Sequence, residues 1–229
     1  MFQTIFVNPL FNALVYLYNT VAFGDFGLAV IFLTLLIRFV LYPFFYKGVR
    51  NQMLLQRIQP EIKRVQEDHK DNKEKQAQAL MELYKKHDVN PFSSILLLFI
   101  QLPVLIALYR VFLEGFSPEM LSRLYSFVSA PDVLHTTFLG LIDLKEKSIF
   151  IVGLAAIIQY IQGYQTLPKI EKGKELSSAE KISKQMVLFS PILTVVILAN
   201  FPSAVGLYWL VTGIFSVVQQ YYVNKSIKI

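Results

Sequence analysis

Arg38 is the residue from which any chemistry of this sequence must be argued. It is the only charge in an apolar run at 27–46, and a helix through that run carries it roughly 16 Å inward at 1.5 Å per residue, close to mid-bilayer. An arginine at that depth costs at least about 2.5–3.5 kcal/mol, so such residues face a bundle interior or a wet cavity. The apolar runs at 27–46, 92–112, 149–167 and 185–223 contain no Asp or Glu, and Asp25 and Glu114 stand only at their margins. Arg38 therefore has no counter-ion at depth. It is either a structural arginine bonded to carbonyls and amides or the charged wall of an open, hydrated cavity, and the missing partner favours the cavity.

Polar residues elsewhere in the runs keep helical spacing. Thr34, Arg38 and Tyr42 repeat every four residues, Gln159, Gln162 and Thr166 follow at three and four, and Tyr208, Thr212, Ser216 and Gln220 repeat every four. Each set lies on one helix face. Alone, such a stripe reads as interhelical hydrogen bonding; three stripes with an unpaired arginine predict a hydrophilic groove walled by Phe, Leu and Ile. Trp209 belongs either to an interfacial aromatic belt or to the lip of that groove. Catalysis finds no support. His69, His87 and His135 lie outside the apolar runs, cysteine is absent, and HExxH, GxSxG and P-loop patterns are missing, so no catalytic residue, metal site or cofactor is expected. A proton relay would need carboxylates or histidines at depth.

The elements that carry these residues follow from composition. Of 229 residues 54% are hydrophobic and 17% charged, against about 45–50% and about 25% in soluble domains. The run at 185–223 is too long for one span and contains Asn200-Phe201-Pro202-Ser203, a turn-forming cluster. The expected spans are thus 27–46, 92–112, 149–167, 185–200 and 203–223, each near the length a bilayer requires. Lys and Arg number ten in 47–90, five in 168–184 and two in 224–229, against none in 1–26 and three in 113–148. That asymmetry puts the N-terminus outside and the C-terminus in the cytoplasm, and it explains the net charge of +6 without nucleic acid.

Residues 1–26 read as an extracytoplasmic interfacial segment, with Leu10, Leu14, Leu17 and Tyr18 at helical spacing and Asn12 and Asn19 elsewhere on the wheel. Residues 47–90 read as a cytoplasmic helical hairpin: Leu54, Ile58, Ile62 and Val65 form one stripe, Leu80, Leu83 and Tyr84 another, Asp71-Asn72 the turn, and Pro60 a restart. In 113–148, Ser117-Pro118-Glu119 starts a short helix carrying Leu121, Leu124 and Phe127. Pro43, Pro103 and Pro191 predict kinks. The expected fold is one all-α membrane domain: five transmembrane helices around a hydrophilic groove, a cytoplasmic hairpin and an N-terminal interfacial helix.

Several stretches carry a family resemblance: the arginine in TLLIRFVLYPFFYKG, IQPEI at 58–62, YKKHDVNP at 84–91, QLPVLIALY at 101–109 and FPSAVGLYW at 201–209. Over residues 5–225 the sequence resembles the YidC family of membrane protein insertases, bacterial relatives of the mitochondrial and chloroplast insertases. The resemblance implies a five-span core of the bacterial plasma membrane with a groove open to cytoplasm and lipid, and insertion of small membrane proteins without ATP. It places Arg38 at the family's groove arginine, Thr34 and Trp209 at the groove and its client-contacting wall, and Gln159 or Gln162 at a polar groove position. The implied partners are nascent membrane proteins, the ribosome through the cytoplasmic loops, the Sec translocon and the lipid bilayer. The rival reading is a small anionic-solute transporter built on Arg38, against which stand the absence of internal repeats and of a second charge at depth.

Overall fold

The computed structural model describes residues 1–131, 133–167 and 178–227. The expected loop at 168–184 lies outside the described residues at 168–177, and the expected tail at 228–229. A π-helical turn, Gln3–Val7, leads into α1 (Asn8–Thr20). Helix α2 (Phe26–Val40) starts at Asp25, whose Oδ1 accepts from the Leu28 amide at 2.8 Å. It stops before Pro43, which lies in the first turn of α3 (Tyr42–Arg57) and has no amide hydrogen to continue the ladder. The two helices bend by 69°. The expected span over 27–46, with its kink at Pro43, is thus two helices that meet at Leu41.

Pro60 likewise occupies the first turn of α4 (Gln59–Asp68), and Asn72 caps α5 (Lys73–Lys86) by accepting from the Lys75 amide at 3.0 Å. Helices α4 and α5 pack on each other through Ile58, Ile62, Leu83 and Val89, a small core separate from the main one. His87 Nε2 meets Glu61 Oε2 at 3.1 Å beside it. Next come α6 (Ser93–Glu114), α7 (Pro118–Leu121), a two-stranded ribbon of β1 (Thr137–Phe138) and β2 (Ile142–Asp143), then α8 (Ile149–Gln165), α9 (Ser178–Leu198) and α10 (Ser203–Ile227).

Helix α1 belongs to the main core. Val7, Phe11, Leu14 and Val15 are fully buried there with Ala29 and Leu33 of α2, Leu108 and Val111 of α6, and Leu207 and Tyr208 of α10. Asn12, expected away from the apolar stripe, is only 2% exposed. Its amide donates to the Arg123 carbonyl at 3.1 Å and its Oδ1 accepts from the Tyr125 amide at 2.6 Å. Those bonds draw the chain after α7 out of helical geometry. The expected short helix accordingly ends at Leu121, with Leu124 and Phe127 beyond it.

The ribbon is clamped onto the start of α2. Leu139 and Gly140 both have positive φ, 51° and 69°, and the Leu141 amide donates to the Phe138 carbonyl at 3.0 Å, the signature of a type I′ turn. Asp25 Oδ2 accepts from the Leu139 amide at 2.6 Å, which holds a leucine in a conformation few non-glycine residues adopt. Gly27 admits the Phe138 ring: a Cβ there would lie 2.1 Å from Phe138 Cδ2. Helix α10 is tied at the same end, its Ser203 and Ala204 amides donating to the Glu146 and Leu144 carbonyls at 2.9 and 3.0 Å. It then runs through the centre of the bundle, packed on α8, α2 and α3, and at Gly213 a Cβ would meet Ile158 of α8 at 2.5 Å.

Helices α6 and α9 are long and apolar enough to cross a membrane, and the bent α2–α3 pair is a third if it counts as one span. Of the other two expected spans, one coincides with α8, which is apolar but 17 residues long. The last coincides with α10, 25 residues long, whose buried Ser216, Gln219 and Gln220 dilute its apolarity. Phe189, Ile192, Leu193 and Val196 of α9 point outward, an apolar surface suited to lipid.

Candidate functional site

Arg38 sits in the last turn of α2 with its guanidinium turned into the bundle, 5% exposed. Phe45 of α3 lies 4.2 Å from it and Phe215 of α10 5.9 Å, ring centroid to guanidinium carbon, both within cation–π range. The sharp turn at Leu41 produces this arrangement, because it folds Phe45 back over the arginine that precedes it. Arg38 Nη1 has no hydrogen-bond partner, and no carboxylate lies within ion-pairing distance among the described residues. Aromatic rings therefore roof the arginine.

On its other side the wall is polar. Tyr208 of α10, 2% exposed, lies within electrostatic reach of Arg38 and next to Thr212, and Gln101 of α6 donates to its hydroxyl. Gln101 thereby links α6 to the site, though it belongs to none of the three polar stripes. Thr34, one turn before Arg38, is buried and returns its hydroxyl to the Val30 carbonyl at 2.6 Å. Ser216 does the same toward Thr212 at 2.9 Å. The hydroxyls of Thr34 and Ser216 are thus bonded to their own helices, whereas Thr212 Oγ1 is buried without a partner. Further along α10, the buried Gln219 and Gln220 each carry an unpartnered side-chain nitrogen.

Tyr42 is not part of this cluster. It is 40% exposed, and its ring lies 6.1 Å from that of Tyr46. Four-residue spacing from Arg38 would align it only on a continuous helix, and the break at Leu41 resets the register. Gln159 and Trp209 form a second pair, the indole Nε1 donating to Gln159 Oε1 at 3.3 Å and joining α8 to α10. Gln162 is half-buried one turn further along α8. The neighbours Tyr208 and Trp209 thus reach different partners, Tyr208 toward α2 and α6 and Trp209 toward α8. Phe45 and Phe215 were missed by sequence reasoning, since phenylalanine in an apolar run carries no signal for a contact across helices.

Residues 16–229 match the family described as 60Kd inner membrane protein. The chain belongs to that family. Among curated relatives it is 31% identical over 219 residues to a protein of Geobacter sulfurreducens named membrane protein insertase YidC, covering 96% of this chain and 37% of the relative. It is 32% identical over 233 residues to the protein of the same name from Pelagibacter ubique, covering all of this chain and 40% of the relative. The chain spans about two fifths of the length of the curated relatives it matches. Family membership and the outward apolar helices together make this a membrane protein.

Proposed function

We propose that the chain is the core of a membrane protein insertase and chaperone, which draws the hydrophilic segment of a nascent client to Arg38 while the client's apolar helix moves sideways into lipid. The single observation that carries the reading is Arg38 itself: a buried guanidinium with a free Nη1 and no carboxylate within ion-pairing distance among the described residues. Such a group attracts an acidic or carbonyl-rich segment strongly, because little water competes for it. In the resting arrangement Phe45 and Phe215 cover it. A client reaches it by displacing Phe45, and the break at Leu41 lets α3 move without unwinding α2. No nucleotide site is needed, since partition of an apolar helix into lipid and the membrane potential drive the transfer.

In this reading the chain crosses the bacterial plasma membrane five times, N-terminus out and C-terminus in, around a groove lined by Arg38, Thr34, Gln159, Gln162, Tyr208, Trp209, Thr212 and Ser216. Helices α4 and α5 face the cytoplasm, where they and the following loops meet the ribosome, and the Sec translocon is a partner in the membrane. The test is insertion of a small single-span client into liposomes holding the purified chain. Arg38→Lys keeps a point charge but loses the five-donor fork and should retain substantial insertion of clients with acidic tails; Arg38→Glu should abolish it. Equal insertion of acidic and neutral clients by Arg38→Glu would remove Arg38 from the mechanism. Anion flux through the same liposomes without a client would instead favour a transporter.

A further inference from the structure

Lys47 and Arg50 of α3 and Lys85 of α5 open onto one cavity of about 480 Å³, shared with Asn51, Tyr84 and Asp88. Three cations face one carboxylate, and none of the three has an ion-pair partner among the described residues. Close packing backs its α3 side. Between Lys47 and Arg50, Gly48 lets Leu97 of α6 approach so closely that a Cβ there would lie 2.2 Å from Leu97 Cδ1. The turn after α5 is held by the buried Val89, whose amide donates to the Tyr84 carbonyl at 2.9 Å.

Its position is as informative as its charge. Lys47 follows directly on the apolar run that ends at Tyr46, and exposed apolar side chains stand close by in the sequence: Phe44 on α3, Phe92 at the start of α6 and Leu96 one turn on. A basic cavity set beside an exposed apolar surface, at the edge of a membrane-embedded run, matches the shape of a phospholipid. The geometry points to a site for the headgroup of an anionic phospholipid, its phosphate held by Lys47, Arg50 and Lys85 and the hydroxyls of a glycerol headgroup by Asp88, Asn51 and Tyr84, with the acyl chains along Phe44, Phe92 and Leu96. Basic pockets at membrane-facing helix ends bind such headgroups by charge and hydrogen bonding together. A bare phosphate would use the cations and leave the neutral and acidic groups idle. The assignment depends on the chain being a membrane protein and is independent of its activity. A lipid bound here bridges α3 and α5, and so ties the α4–α5 pair to the membrane surface.

The test is native mass spectrometry of the delipidated full chain, titrated with phosphatidylglycerol or phosphatidylcholine. Each basic residue near an anionic surface contributes about fivefold in affinity, so Lys47→Gln/Arg50→Gln/Lys85→Gln should weaken phosphatidylglycerol binding about a hundredfold. Phosphatidylcholine binding should not change, nor should a control that loses three charges at the far end of the pair, Lys70→Gln/Lys73→Gln/Lys75→Gln. If the triple variant melts early, Lys85→Gln alone should show the fivefold loss. Equal phosphatidylglycerol binding by the triple variant and the control overturns the site. So does displacement of the lipid by inorganic phosphate at matched concentration, or a triple variant that loses binding of a structured RNA while keeping the lipid.

Discussion

Replacing Arg38 by methionine should stabilise the fold while removing the site. The side chain is 5% exposed with Nη1 unpartnered, and an arginine at membrane depth costs at least about 2.5–3.5 kcal/mol. What the charge returns is its contact with Phe45 at 4.2 Å and the more distant Phe215, together about 1–2 kcal/mol. Methionine keeps most of the aliphatic stem against Phe45 and adds a sulfur–aromatic contact, so the packing loss is small. The balance is about 1 kcal/mol in favour of the variant, or a melting rise of about 2–4 °C for a chain of this size. Thermal unfolding in detergent, followed by circular dichroism, reads it directly, with liposome insertion measured on the same preparation. Arg38→Ala should lie lower, because it also leaves a cavity between the two rings. A fall of more than about 5 °C for Arg38→Met would mean that the guanidinium is a structural tie worth more than about 1 kcal/mol, and the reasoning from an unpaired charge would fail.

Other perturbations probe the frame around the site. Asp25→Ala removes both the cap of α2 and the bond to Leu139, and should lower stability by about 1–2 kcal/mol; Asp25→Asn should recover part of it, and hydrogen exchange at the Leu139 amide should rise in both variants. Gly27→Ala drives a methyl into Phe138 and should cost about 1–3 kcal/mol. Phe138→Ala in the same background should return a good part of that, so strict additivity in the double-mutant cycle would count against the close approach. Ile62→Ala with Leu83→Ala should unfold α4 and α5 locally, at about 2–5 kcal/mol per side chain for a fully packed site and less for this half-open one, with the main melting transition kept. Loss of the whole fold would show that the small core is not separate.

The burial of Arg38 without a carboxylate partner and the helical period of the α10 polar residues were legible in the sequence because both rest on local features. The distance of Arg38 from the start of its run, the lack of acids in the runs, and the spacing of Tyr208, Thr212 and Ser216 need no knowledge of what lies across the bundle. Pro60 and Asn72 announce helix breaks for the same reason, each acting on its own backbone. A helical wheel aligns Tyr42 with Arg38 only on a continuous helix, and the 69° bend lies between them. Pro43 signalled that a bend would occur, but the angle depends on how α3 meets α6 and α10. Asn12 was placed off the apolar stripe by the wheel alone, whereas it is buried on backbone partners 111 and 113 residues away. The aromatic roof over Arg38 was invisible to any local rule.

The loop that closes one end of the bundle also fixes the order in which this protein can finish folding. Its anchor points are spread along the chain: Asn12 and Tyr18 of α1, Asp25 before α2, and the first residues of α10. The carbonyls of Leu144 and Glu146 wait for amides roughly sixty residues downstream, at Ala204 and Ser203. A clasp made of such distant pairings carries a large loop-closure entropy and forms late. During synthesis, then, α1, α2 and α6 can associate first, while the site between α2 and α10 has no far wall until the last helix arrives. In the protein's own immature state Arg38 thus has Phe45 of α3 over it but lacks the wall that α10 brings with Tyr208 and Phe215, and that last helix is what completes its enclosure.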